Sequence, residues 1–263
     1  MRGTTLYHDG VTIAIPNWNH EFFLARSIRS GLDAIRHLGE QGIAGEVLIV
    51  DDLSRDGSRP LLRQFEARYF DDGLRVFQNP TNQGPGGSRN VAIAQARYRH
   101  IVFLDADNQL VAKNIPLFHR SIKETDATAV YGNLLVRKVL RSGADSASSN
   151  EGFSRRMFES NYIDTLAMYD RSHLTDLVGF DATLPGLEDW EMWLHLASNG
   201  CRLVFVPLVF GFYDFLPYST NVSVNNADRL MARAKRIYDQ VDFRKHAHVN
   251  AQGLRYFPGV GYI

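Results

Sequence analysis

The chain has 263 residues, 44% of them apolar and 22% charged, and its 29 basic and 29 acidic residues cancel to a formal net charge of zero. That length buries a sizeable core in one large domain or a domain plus an appendage, and the balanced charge offers no global field for nucleic acid. A single cysteine, Cys201, excludes an internal disulfide framework and a cysteine metal cluster, and it fits a reducing compartment. No apolar signal core follows residues 1–5, and no stretch approaches the roughly 18 apolar residues of a membrane span. A soluble, cytoplasmic protein is expected, in which the sequon Asn221-Val222-Ser223 has no route to glycosylation.

In chain order, residues 11–15 form a β-branched run ended by Pro16. Trp18 then offers a flat face to a base, or the segment is a turn in which Asn19 caps the next helix. Leu24, Ile28, Leu32 and Ile35 recur at helical spacing, which predicts an amphipathic helix over 21–38. A second strand over 46–50 runs into Asp51-Asp52, and with Asp56 three carboxylates fall within six residues. Their mutual repulsion requires donors, for which a base edge, ribose hydroxyls or a cation would serve. Helices follow Gly57 and Gly87, and further strands are predicted over 74–77 and 101–104. The glycine-rich residues 79–90 permit close backbone approach, and Arg89 is placed to clamp a phosphate. They match neither the Gly-x-Gly-x-x-Gly of dinucleotide enzymes nor the Gly-Lys-Ser/Thr of P-loops, which disfavours both classes.

The apolar run 101–104 ends on Asp105-Ala106-Asp107. In an extended chain both carboxylates point to one side, where two hard oxygens suit a divalent cation that also holds a diphosphate, although short patterns of this kind also arise by chance. Strands alternating with helices imply βαβ crossovers and a mainly parallel sheet with a nucleotide-sized crevice at its carboxyl edge. In the second half, 128–133 reads as a strand and 143–150 as a mobile Ser/Ala/Gly-rich loop. Trp190, Trp193, Leu194 and Ala197 form a buried helical stripe, with Glu188 and Asp189 at the helix N-terminus. There the dipole favours ionised carboxylates, either as a simple cap or as a base that takes a proton from a hydroxyl nucleophile. Over 228–240 an apolar stripe is flanked by Arg229, Arg233 and Arg236, a helix that suits packing on the domain or contact with anionic lipid.

Taken in order, Ile15-Pro16-Asn17-Trp18-Asn19, Val50-Asp51-Asp52-Leu53-Ser54-Arg55-Asp56-Gly57-Ser58, Asn82-Gln83-Gly84, Ser88-Arg89-Asn90, Phe103-Leu104-Asp105-Ala106-Asp107-Asn108, Val178-Gly179-Phe180-Asp181 and Leu187-Glu188-Asp189-Trp190-Glu191 resemble the family 2 glycosyltransferases of the GT-A fold class. The match runs over roughly residues 11–220. It implies an α/β GT-A domain over 1–220, with a Rossmann-like nucleotide-binding half at about 10–110 and an acceptor-side half at about 111–220, and leaves 221–263 as a C-terminal helical appendage.

The resemblance implies a metal-dependent, inverting enzyme of the hexosyltransferase class, which moves a sugar from a nucleoside-diphosphate sugar to a hydroxyl of a glycan or lipid-linked glycan. UDP is the expected carrier, with dTDP behind it. Pro16 and Asn19 would line the base and ribose, Asp52 would bond a pyrimidine, and Arg89 would approach the phosphates. Asp105 and Ala106 would join the donor site, and Asp107 would bind Mn²⁺ or Mg²⁺. Asp189 would be the base, with Glu188 and Trp190 toward sugar or acceptor. The chain departs from the family pattern Tyr-Arg-x-His at Tyr213-Asp214-Phe215-Leu216. His246, His248, Asp214 or water are therefore the candidates to complete the metal shell. A nucleotidyltransferase releasing pyrophosphate and a nucleotide-sugar-binding homologue without turnover stay open as other readings. No nucleic-acid partner is expected, the oligomeric state is left open, and a peripheral place at the inner face of a membrane follows if the 228–240 helix meets lipid.

Overall fold

The computed structural model describes residues 7–138, 146–149, 151–177, 179–184, 186–215, 241–242, 256–257 and 261–262. The first half alternates as read from the sequence: β1 (His8–Asn17), α1 (Glu21–Gly39), β2 (Gly45–Asp51), α2 (Ser58–Tyr69), β3 (Leu74–Gln78), α3 (Gly84–Gln95) and β4 (Tyr98–Phe103). There follow β5 (Gln109–Leu110), α4 (Ile115–Thr125), β6 (Ala129–Lys138), β7 (Ser146–Ser148), β8 (Ala167–Asp170), α5 (Arg171–Asp176), α6 (Glu188–Ser198) and β9 (Leu203–Phe215). In the tail β10 (Tyr256–Phe257) pairs antiparallel with β11 (Gly261–Tyr262), and Val241 is buried in the main core. The helix expected over 228–240 lies outside the described residues.

One sheet carries the order β3-β2-β1-β4-β8-β6-β9-β5, with β7 paired to β6. Strands β1, β2, β3, β4, β6 and β9 point the same way, while β8, β5 and β7 run against them. Side chains alternate across the central strands. Ile13, Ile15, Val47, Ile49 and Val102 face a core shared with α1, α2 and α4 through Leu24, Ile28, Leu62, Phe65 and Phe118. Ala14, Leu48, Val50, Ile101 and Phe103 face the opposite core, with Ile93, Leu174 and Trp193 from α3, α5 and α6. Two covered faces are why these strands read as unbroken apolar runs.

Four expectations are corrected in detail. Pro16 does not end β1: pairing with β2 continues through Asn17↔Asp51, whereas pairing with β4 stops at Ala14↔Phe103. Lacking an N–H, Pro16 cannot extend the ladder toward β4, which frees the chain after Phe103 to turn. Asn19 does not cap α1. It sits left-handed at φ 59°, the cap position is His20, and Asp56 Oδ2 accepts the Glu21 N–H across the loop. The helix expected after Gly87 starts at Gly84, so the glycines are its first turn. Within the stretch read as a mobile loop, residues 146–148 are strand β7, and residues 143–145 and Asn150 lie outside the described residues.

Candidate active site

The loops after β1 and β2 are locked to one another by their own polar groups. Asn17 Nδ2 donates to Asp51 Oδ1 at 2.9 Å and to Ser54 Oγ at 3.1 Å. The Asn19 N–H donates to Ser54 Oγ at 3.0 Å, and Asn19 Oδ1 accepts from the Arg55 N–H at 2.8 Å. Asp56 also accepts the Ser58 N–H at 3.0 Å, while Glu21 at the start of α1 accepts the Gly57 N–H ahead of α2, so the starts of the two helices are tied to each other. Asp52 is fully engaged: Oδ1 accepts from Asn79 Nδ2 at 2.7 Å and the Gln83 N–H at 2.8 Å, and Oδ2 accepts the Gly84 N–H at 2.8 Å. The donors that the three carboxylates require are thus amides of the protein, and Asp52 acts as the cap of α3. Pro16 and Asn19 border this loop, with Trp18 beside them 52% exposed.

The sequence Asp105-Ala106-Asp107 is a turn rather than extended chain, closed by the Asn108 N–H on the Asp105 carbonyl at 3.0 Å. Ala106 is buried in the α1-side core. Arg26 donates to the Asp107 carbonyl at 2.6 Å, while among the described residues no neighbouring side chain bonds the Asp107 carboxylate. Burial first, then the Asp105 charge, push the Asp107 pKa up to about 6.

Across the cleft stands the N-terminus of α6. Asn90 holds its entry loop, donating to the Phe180 carbonyl at 2.8 Å and accepting the Phe180 N–H at 2.7 Å. A Cβ at Gly86 would stand 3.4 Å from Ala182 Cα and 3.6 Å from Glu188 Cγ. These are ordinary van der Waals distances, so Ala182 and Glu188 pack on this turn of α3 without requiring a glycine there. Leu187, left-handed at φ 62°, then turns the chain into α6 and presents Glu188 and Asp189 in its first turn.

Arg89 joins the two sides. One guanidinium nitrogen donates to Glu188 Oε1 at 2.6 Å and another to Asp105 Oδ1 at 2.8 Å, with Phe180 beneath it. Burial opposes its charge, but the two carboxylates outweigh that cost and hold its pKa above the ordinary arginine value. The expected phosphate clamp thus grips two acidic side chains.

Asp189 Oδ2 accepts from Asn161 Nδ2 at 2.7 Å and Oδ1 accepts the Trp190 N–H at 2.7 Å. The helix dipole alone would keep this carboxylate ionised at low pH. Instead burial, and then the Glu188 charge, push its pKa up to about 6. Trp190 lies in the core with its indole N–H on the Met157 carbonyl at 2.6 Å, so it supports the site from beneath rather than facing an acceptor.

Asp164 was not anticipated. Burial, followed by the charges of Asp105 and later Asp189, push its pKa to about 7. Tyr213 is raised by burial and then by Asp164, Asp105, Asp107 and Asp189, which places its hydroxyl among the same acids. Asn161 was missed as well; the only sequence signal for either is a polar pair three apart just before the apolar run of β8. Asp214, a candidate metal ligand, is buried against Arg137, at 2.6 and 3.0 Å, and against Arg26. That double pairing disfavours it as a ligand. His246 and His248 lie outside the described residues.

Residues 12–177 match the family model for Glycosyl transferase family 2. The chain belongs to that family. Its sheet is the GT-A fold: S. aureus TarS 1-349 in complex with UDP-GlcNAc superposes with a TM-score of 0.70 at 20% identity, over 89% of this chain and 67% of that one. The mannosyltransferase PcManGT from Pyrobaculum calidifontis, in complex with GDP-Man and Mn²⁺, gives 0.60 at 20% identity, over 88% and 65%. Among curated relatives, Escherichia coli WfaP, a UDP-Glc:alpha-D-GlcNAc-diphosphoundecaprenol beta-1,3-glucosyltransferase, is 22% identical over 207 residues, 78% of each chain. The chain spans about a third of the length of other family relatives that it matches. Among the described residues no helix is long and apolar enough to cross a membrane.

Proposed function

We propose that this chain is an inverting glycosyltransferase that moves a sugar from a UDP-sugar to a hydroxyl of a lipid-linked glycan. The observation that carries the reading is the pairing of Asp189, oriented by Asn161 at the start of α6, with Asp105-Ala106-Asp107 across a cleft spanned by Arg89. The UDP-GlcNAc seen with TarS and the lipid-diphosphate acceptor in the name of WfaP support donor and acceptor class.

The residues fit a divalent cation. Among the described residues the Asp107 carboxylate has no side-chain hydrogen-bond donor, and it sits in a cluster with Asp105, Asp164, Glu188 and Asp189 whose negative charge Arg89 only partly offsets. Asp107 would hold Mn²⁺ or Mg²⁺, helped by Asp105, and the ion when bound supplies Lewis-acid neutralisation of the leaving diphosphate. The chain's own groups do the rest. Trp18 and the loops around Pro16 and Asn19 receive the base, with Asp52 holding the α3 end of that wall in shape. Asp189 accepts the acceptor hydroxyl's proton as the oxygen attacks the anomeric carbon from the face opposite the nucleotide. A single displacement of this kind inverts that centre.

Product analysis tests the reading. With a UDP-sugar, Mn²⁺ and an undecaprenyl-diphosphate-linked sugar, UDP release and a β-linked product are expected. Pyrophosphate in place of UDP would make the chain a nucleotidyltransferase; donor binding without product on any acceptor would make it a binding homologue. Peripheral membrane contact through Arg229, Arg233 and Arg236 belongs to the same proposal, and liposome flotation that is unchanged when all three become Glu would refute it.

A further inference from the structure

A second cluster of ligating groups lies at the other edge of the sheet. Asp9 begins β1, His100 lies in β4 and His119 in α4, and one ligand atom from each falls within 4.8 Å of the others. From Asp9 to Asn17 at the carboxyl edge is about 26 Å along β1, at roughly 3.3 Å per residue. The acidic cleft and this cluster are therefore separate.

Both imidazoles are buried, at 3% and 4% exposure, and stack edge to face with centroids 4.9 Å apart. Among the described residues His100 Nδ1 has no hydrogen-bond partner, and His119 Nε2 has only the ion-pair contact with Asp9 Oδ1 at 3.7 Å. Buried polar atoms are rarely left unpaired, so two in adjoining rings need an explanation.

The carboxylate is arranged to match. Lys123 Nζ donates to Asp9 Oδ2 at 2.7 Å, which orients the group and leaves Oδ1 directed at His119 Nε2, 3.7 Å away. That distance exceeds hydrogen-bonding reach. For this pair it is close to the roughly 3.4 Å that separates two ligands on a tetrahedral ion with bonds of about 2.0–2.1 Å, and the wider spacings in the cluster, up to 4.8 Å, would close as the ion binds. A lysine behind a ligating carboxylate acts as the outer partner that such ligands usually have.

We propose that Asp9, His100 and His119 form a metal site for Zn²⁺ or a similar borderline transition ion, tying the start of β1 to β4 and α4. Two nitrogens and one oxygen select such an ion over Mg²⁺, and water would complete the shell. The site is structural and independent of the transfer chemistry.

Co²⁺ titration of the chelator-stripped full chain tests it, because the visible bands report ligand type. In an Asp107→Ala background, which disables the cleft, one equivalent of Co²⁺ with nitrogen-ligand bands is expected, together with a rise in Tm that Zn²⁺ reproduces. His119→Gln should abolish the bands and the Tm rise; Asp9→Asn, at the surface, should weaken binding at least about tenfold without unfolding the chain. No binding of Co²⁺ or Zn²⁺ in the Asp107→Ala chain at micromolar concentration would overturn the assignment. So would bands that persist in both His119→Gln and Asp9→Asn.

Discussion

Asp189 and Asp164 are both raised carboxylates in one site, yet their substitution should be read in different quantities, transfer for the first and stability for the second. For Asp189→Asn the expected outcome is a loss of transfer on the order of 10²–10⁴-fold, with the Tm gain from the UDP-sugar retained, since only the proton acceptor is gone. In the intact chain the ionised form is the active one, so kcat/KM should fall as pH drops through about 6 and stay flat above it. Asp164 bears on stability instead. Its folded pKa of about 7 stands above the ordinary 3.8, so the folded chain keeps a proton that the unfolded chain releases. That contribution is complete below about 3.8 and lost as pH rises through about 7. Asp164→Asn, neutral at every pH, should therefore raise Tm at pH 8 by a few degrees, on the order of 1–2 kcal/mol after allowing for solvent, and should change little at pH 4. A thermal melt at the two pH values decides it.

At the scale of elements, the cap that Asp52 places on α3 replaces a role that sequence reasoning gives to a ligand. Asp52→Ala should cost about 1–2 kcal/mol in chemical denaturation of the ligand-free chain. An unchanged midpoint would return Asp52 to nucleotide recognition alone. The alternation from β1 to β4 was legible because each strand is covered on both faces and each helix shows one apolar stripe. The ends were less so: Pro16 stops one ladder and leaves the other running, which composition cannot distinguish. Asp105, Asp107, Glu188 and Asp189 stand out in the sequence because they adjoin strong local signals, and the structure brings Asp105 and Glu188 together on Arg89. Asp164 and Asn161 were not, for a topological reason. β8 runs antiparallel between β4 and β6, so the residues that precede it, rather than those that follow, arrive at the carboxyl edge. A rule that searches the ends of strands passes over the start of a reversed one.

For the molecule as a whole, Arg89 is an internal counter-ion. The cleft gathers its acids from the turn after β4, the segment before β8 and the start of α6, and such a group would repel itself apart without a positive charge of its own. One fixed guanidinium offsets part of that charge from within the chain, so under the proposed function a divalent ion would come and go with each donor instead of being required for folding. Arg89→Met would reverse this. It leaves Asp105 and Glu188 unpaired, at about 3–5 kcal/mol for a broken buried pair. The variant's Tm should then climb steeply with Mn²⁺, while that of the parent chain without donor stays nearly level. Under the same proposal, the charge that makes the site foldable in the parent would also allow the spent nucleotide and its ion to depart.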